Sequence, residues 1–295
     1  MFVGLAGMIV APTMSQEDIQ FEVEWQHMLA LGQEHETAWD LYLTLQEAAD
    51  EPLAPTSIEQ LPDWSGLWTH TRDGAIAAQT GSFFGPGPGG IMPKFSPAAV
   101  EMLEEGAARN AEALTYDENI SQCGPPGFPR WLAIPFLREF IVRPEQTWLS
   151  SETVNNVRRI YTDGRDHPPE VEQYPLYYGD SVGFWDGQKL VIHTTQLMAR
   201  AMGRNTLRQS EQMETVEIWE NTDENTVRAH AWFYDLSILE EPWYVQRHYA
   251  RVPNDDKAFR MRYWHCGENE NNNVFRTDEG STQYTDFTFS SEDDR

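Results

Sequence analysis

"GDSVGFWDGQKLVIHTT", residues Gly179 to Thr195, reads as two β-strands around a tight turn. Val182–Trp185 and Lys189–Thr195 are rich in aromatic and β-branched residues, and Asp186-Gly187 between them supplies the backbone freedom that a hairpin turn demands. Working outward, the same texture recurs. Further strands are expected near 140–143, 147–151, 157–162, 213–220, 226–234, 243–252 and 258–265, with "NTDEN" and "PNDDK" among the turns. Short strands in succession with no helical crossovers predict a mainly β chain, an antiparallel meander closed into a barrel or a strongly curled sheet. Several strands carry large side chains on both faces, as a barrel whose exterior is covered by helices requires.

Upstream the period changes. From Gln16 to about Ala49, Ile19, Val23, Met28, Leu31, then Trp39, Tyr42, Leu43 and Leu45 return every three or four positions, which predicts one long or two shorter amphipathic helices. "GSFFGPGPGG" at 81–90 excludes helix and central strand, and Ser96-Pro97 reads as the cap and first turn of a helix reaching about residue 113. The organisation expected is a signal-peptide remnant at 1–15, a helical extension at 16–55, a β-barrel domain at 56–280 with one inserted helix (about 97–113), and an acidic tail at 281–295. The apolar run Phe2–Val10, followed by Thr13 and Ser15, suits signal cleavage before Gln16 and predicts export to the periplasm or exterior, although a basic leading segment is missing. A disordered apolar end is the other reading.

With 21 Lys and Arg against 47 Asp and Glu, the chain has a formal charge of −26. Such a field repels phosphate backbones and anionic lipids, so neither nucleic acid nor a membrane is an expected partner. No run reaches the length of a membrane-spanning helix. Cys123 and Cys266 form one disulfide if the chain is exported and stay free thiols if it is not. The N-terminal helices, with Trp25 and Trp39, either cover the barrel or join copies into a homo-oligomer.

"RRIYTDGRDHP", Arg158 to Pro168, concentrates chemistry in eleven positions. Asp163-Gly164 forms a turn, and an extended chain beyond it sends Arg165 and His167 to one side. In a functional reading His167 is the acid/base, Asp163 its orienter, and Arg159 and Arg165 stabilise an oxyanion. In a structural reading Arg158, Asp163 and Arg165 form a salt-bridged clamp. Arg130, Tyr161, Ser181, Trp185, Glu217, His230 and His248 complete the candidate substrate-binding set. Ser181 lies in a G-x-S-x-G string but runs into a hairpin rather than a strand-to-helix elbow, so a serine hydrolase is not expected.

"CGPPGFPR", "RRIYTDGRDHP", "GDSVGFWDGQKLVIHTT", "EEPWYVQRHY" and "HCGENENN", in this order, resemble a large bacterial family of exported proteins. The likeness spans roughly Leu61 to Asn273, and "WSGLW" is similar to the opening Gly-x-Trp strand of lipocalin-like barrels. The resemblance implies a lipocalin-like barrel and fixes no reaction. The chain departs from the pattern at Gln188, where Asp is usual, at His193, where an acid is usual, and at Ile218, where Arg is usual.

A symmetric 236–241 link would set His230 opposite His248 on one face, with room for the pair in the lumen, and this invites a metal-dependent hydrolase or oxygenase. Two ligands are too few for a catalytic zinc, and no HExxH, phosphate loop or dinucleotide fingerprint occurs, so neither metal nor cofactor is expected. The leading expectation is a cofactor-free acid/base enzyme of lyase, isomerase or cyclase type acting on a small, partly apolar or aromatic molecule in a barrel pocket. A non-catalytic carrier for a hydrophobic small molecule is the alternative from another class.

Overall fold

The computed structural model describes residues 16–50, 57–71, 92–111, 120, 123–203, 207–265, 274–276 and 282–284. The N-terminal apolar run, the 81–90 loop, Cys266 and nearly all of the acidic tail lie outside these residues.

Eleven strands precede residue 252: β1 (Leu67–His70), β2 (Arg138–Val142), β3 (Gln146–Ser151), β4 (Asn156–Tyr161), β5 (Asp180–Asp186), β6 (Lys189–Thr195), β7 (Arg200–Ala201), β8 (Arg208–Gln209), β9 (Glu214–Asp223), β10 (Thr226–Tyr234) and β11 (Trp243–Arg251). All but β7 and β8 close into a barrel in the order β1-β11-β10-β9-β6-β5-β4-β3-β2, and β1 pairs with both β11 and β2 to complete the ring. The chain is therefore mainly β, as expected. Two short pairs, β7 with β8 and β12 (Val274–Arg276) with β13 (Thr282–Tyr284), stand apart from it.

Two expectations are corrected. The meander is not antiparallel throughout: β4 and β5 are parallel, with Tyr161 beside Val182, so the segment joining them is a crossover rather than a hairpin tip. Nor do residues 258–265 form a strand. Closure explains this, because β11 already has β10 on one side and β1 on the other, leaving no free edge.

The strand period sorts side chains onto two cores. The lumen is filled by Trp64, Trp68, Phe140, Trp185, Trp219 and Tyr249, and by Phe128 and Trp131 from the segment before β2. Arg251 clamps the entry to β1: its guanidinium lies 4.3 Å over the Trp68 ring and donates to the Ser65 and Asp63 carbonyls. The second core lies on the outer wall, where Val182, Phe184, Val191, Val216, Trp232 and Tyr244 meet the N-terminal helices.

Those helices are two, α1 (Gln16–Gln33) and α2 (Ala38–Glu47). Thr37 starts α2 by accepting the Asp40 amide at 3.1 Å. His35 staples the joint, bonding the Leu31 carbonyl through Nδ1 and the Thr44 hydroxyl through Nε2, each at 2.9 Å. Trp25, Ala38, Leu41 and Tyr42 are buried against the barrel, whereas Ile19 and Val23, expected on the same apolar face, stand 51% and 65% exposed. The inserted helix α3 (Pro97–Ala111) begins as expected, with Ser96 accepting the Ala99 amide at 3.2 Å.

Gly32 fixes the seat of α1. Its Cα lies on the Trp232 ring, while Trp232 donates to the Met28 carbonyl at 2.7 Å and Tyr234 to the Gly32 carbonyl at 2.9 Å. A methyl group at Gly32 would collide with the indole. Helix propensity favours Gly32→Ala by about 1 kcal/mol, but lifting α1 costs about 1–3 kcal/mol. The variant is expected to unfold at a lower temperature than the parent in calorimetry.

A proton chain outside the barrel and a sealed ion pair within it

The crossover from β4 to β5 begins with the turn at Asp163-Gly164, where Gly164 has φ +82°. Arg165 folds back on Asp163, with Nε 2.9 Å from Oδ1 and Nη2 2.6 Å from Oδ2, and lies 4.1 Å over the Tyr161 ring. The Arg165 hydrogen bonds hold the Asp163 carboxyl below the usual range. This is a surface clamp between two of the three residues expected in one. Arg159 also faces outward, its guanidinium 5.5 Å from the Trp148 ring.

His167 turns back onto the outer wall of the barrel, and its partner is Asp180 at the start of β5 rather than Asp163. Nδ1 lies 2.6 Å from Asp180 Oδ1 and Nε2 lies 2.8 Å from His193 Nδ1. His193, on the outer face of β6, directs its Nε2 toward Glu214 Oε2 of β9 at 3.4 Å. Glu214 also accepts the Thr195 hydroxyl at 3.3 Å. Trp39 and Tyr42 of α2 roof the pair, their ring centres 4.9 and 5.7 Å from that of His193.

Hydrogen-bond chemistry orders the protons in this line. With Asp180 as a carboxylate acceptor, a neutral His167 carries its proton on Nδ1 and presents a bare Nε2. The 2.8 Å contact then needs the proton on His193 Nδ1. His193 Nε2 is left bare, buried and without a hydrogen bond, which matches the longer separation from Glu214. The chain is one proton short of closing every gap. Burial pushes the His193 imidazole below its ordinary value despite the opposing pull of Glu214. For Glu214, burial alone would raise the carboxyl, but the bond and charge of His193, with Thr195, outweigh it and lower it.

Glu214 also lines a cavity of about 990 Å³ at the joint of α1 and α2, bordered by Glu34, Glu36, Ala38, Tyr234 and Leu239. At the other end of the line, a cavity of about 200 Å³ is lined by Trp39, Tyr42, Arg165 and Asp166.

Other candidate residues lie in the lumen. Arg158 forms a two-pronged pair with Glu217, Nη2 to Oε1 at 2.6 Å and Nη1 to Oε2 at 3.0 Å, and both side chains are buried. Ser181, at 3.2 Å, and Thr194, at 2.7 Å, accept from the same guanidinium; Trp219 donates to Glu217 at 3.0 Å; and the Phe128 ring lies 3.9 Å away. Trp185 packs on Trp64 in this core. Arg130 opens the turn Arg130–Ala133, which sends Trp131 and Leu132 inward.

The expected His230–His248 pairing is corrected by two residues. His230 lies opposite Gln246, and His248 opposite Arg228. The link is not symmetric, because Asp235 winds it into a helical turn, accepting Ile238 and Leu239 amides at its carbonyl and Ser237 at its carboxylate. Both histidines face outward rather than into the lumen. His230 bonds Tyr244 Oη at 2.6 Å and Glu220 at 3.3 Å. Glu217 stands opposite Ala231, on the other face of the wall. Among the described residues no three His, Cys, Asp or Glu side chains are grouped to hold a metal ion.

Sequence reasoning missed Asp180, Glu214, Trp39 and Tyr42 as neighbours of His167, and gave His193 no role. His193 carried a signal: it is a departure from the motif, at an alternating position between Ile192 and Thr194. No family model matches the chain, and no curated protein matches it.

Two predictions follow from these environments. Glu217→Gln leaves the Arg158 charge buried without its partner and is expected to cost about 3–5 kcal/mol. The double variant R158M/E217L regains much of that loss, as chemical denaturation would report. For pH, burial lowers His193 and His230 and, acting with the neighbouring Arg228, pushes His248 down to about 4. The unfolded chain binds these protons near 6.5, so the folded state binds fewer between the two values, and stability falls as pH drops through that window. Replacing His248 by Gln should flatten the pH 4–6.5 slope of thermal denaturation, by about 3 kcal/mol in all.

Proposed function

We propose that this chain is an acid/base enzyme of lyase or isomerase type. Its proton-transfer group is Glu214, with His193, His167 and Asp180 as the relay behind it. The observation that carries this reading is the 2.8 Å His167–His193 contact within a line that ends on the wall of a 990 Å³ cavity. A proton taken from a bound molecule by Glu214 passes to the bare Nε2 of His193. The Nδ1 proton of His193 then moves to His167 Nε2, leaving the imidazolium beside Asp180. A structural ion pair needs no such continuity.

The substrate space differs from the barrel pocket expected from sequence. The lumen is filled with protein side chains, so the reading places the small molecule under the α1–α2 joint. The cavity's carboxylates, Glu34, Glu36, Glu214, Asp235, Glu240 and Glu241, outnumber its one lysine, Lys94, which is held by Glu241 at 3.1 Å. This favours a neutral or cationic substrate over an anionic one. The apolar wall of Leu236, Leu239 and Pro242 suits a partly apolar body.

Export belongs to the same reading. The two cysteines of the sequence, Cys123 and Cys266, would suit a bond made in an oxidising compartment. No described helix is long and apolar enough to cross a membrane.

The test is deuterium exchange from solvent into a panel of small carbonyl and amine compounds, followed by mass spectrometry. Glu214→Gln and His193→Gln are each expected to slow exchange about 100-fold, while Asp163→Asn and Arg165→Gln leave it near the parent rate. Exchange that persists undiminished in Glu214→Gln would overturn the assignment.

A further inference from the structure

A second cavity lies away from the proton chain. It is a groove of about 1060 Å³ between the outer side of β1 at Thr69, the approach to β2 at Phe136 and Leu137, the end of β3 at Glu152, and the segment 258–265. That segment is extended but belongs to no sheet. Side chains hold it instead: Glu152 accepts the Arg262 amide at 2.9 Å, and Asn155 both accepts the Trp264 amide at 2.8 Å and donates to its carbonyl at 3.0 Å. The Trp264 ring meets Phe136 edge-on at 5.1 Å. The strap is thus pinned at alternate residues across an apolar floor, with a groove left between.

The charge of this groove opposes that of the whole protein. Of the ionisable residues lining it, Arg260, Arg262 and His265 are basic and Glu152 alone is acidic, in a chain whose formal charge is −26. One oxygen of the Glu152 carboxylate accepts a backbone amide. Both arginine residues are exposed, and the segment leaves Phe259 and Tyr263 54% and 81% exposed beside them. Charges act over roughly one Debye length, about 8 Å in physiological salt, so the local pair of guanidiniums governs what enters the groove. A guanidinium presents a planar fork that matches a carboxylate or similar anion.

We infer that this groove is a binding site for a small amphipathic anion, an aromatic or alkyl carboxylate, with Arg260 and Arg262 on the acid group and Phe136, Trp264 and Leu137 against the apolar body. It is independent of the proton chain, whose acidic cavity selects the opposite charge.

Calorimetric titration of the full chain with 1-naphthoate and with 1-naphthylmethylamine tests the assignment. Naphthoate is expected to bind at least tenfold more tightly than the amine, to weaken as salt is added, and to lose tenfold or more affinity in the double variant R260Q/R262Q. Both side chains are exposed, so that variant should keep the parent's melting temperature, which serves as the folding control. Trp264→Leu should weaken naphthoate as well, while Glu214→Gln should not. Equal binding of the two probes, preference for the amine, no heat with either, or undiminished naphthoate binding in R260Q/R262Q would each overturn it.

Discussion

The Arg158–Glu217 pair is the constraint around which the lumen is built. Burying either charge alone costs several kcal/mol, and Ser181 and Thr194 accept from the guanidinium while Trp219 donates to the carboxylate. Phe128 then caps the guanidinium from above, 3.9 Å away. Gly127 makes that approach feasible: it has φ +71°, and a Cβ there would run into Arg200. A barrel that in outline resembles a container is in this chain a solid core with a charged centre.

Filling the lumen leaves the hydrogen-bonded line of His167 and His193 on the outer side of the wall. Because strand side chains alternate, every strand that sends Ser181, Thr194 or Glu217 inward sends Asp180, His193 or Val216 outward, one residue away in sequence. The same β5–β6–β9 register thus sets the sealed pair inside and the proton chain outside. Helix α2 makes the outer side usable. Trp39 and Tyr42 cover His193, and burial holds its imidazole below its ordinary value.

Most of the fold was legible because its signals are local. Alternating apolar residues and Asp-Gly turns located all but one of the expected strands, and Ser96 and the 3.6-residue period located the helices. The 258–265 strand failed because closure is a property of the whole ring: nothing within the segment shows that β1 has already taken the last edge of β11. The His230–His248 register failed for a local reason of another kind, the Asp235 turn that makes the link asymmetric. The site was half legible. His167 was singled out from a loop dense in titratable groups, but Asp163, two residues from Arg165, was claimed by that nearer cation. Asp180 reaches His167 only because β5 lies parallel to β4, a pairing across a crossover that periodicity cannot reveal.

The direction of the proton chain follows from its two ends. At Asp180 the imidazole of His167 is held at 2.6 Å from a carboxylate oxygen, whereas at Glu214 the separation from His193 is 3.4 Å. In the proposed transfer, a proton arriving from the cavity meets His193 before His167, and Asp180 last. Burial under Trp39 and Tyr42 makes His193 a costly place for a positive charge. The order of the line, Asp180, His167, His193 and Glu214, follows the same β5–β6–β9 register that holds the lumen together, so it is a consequence of how the barrel closes.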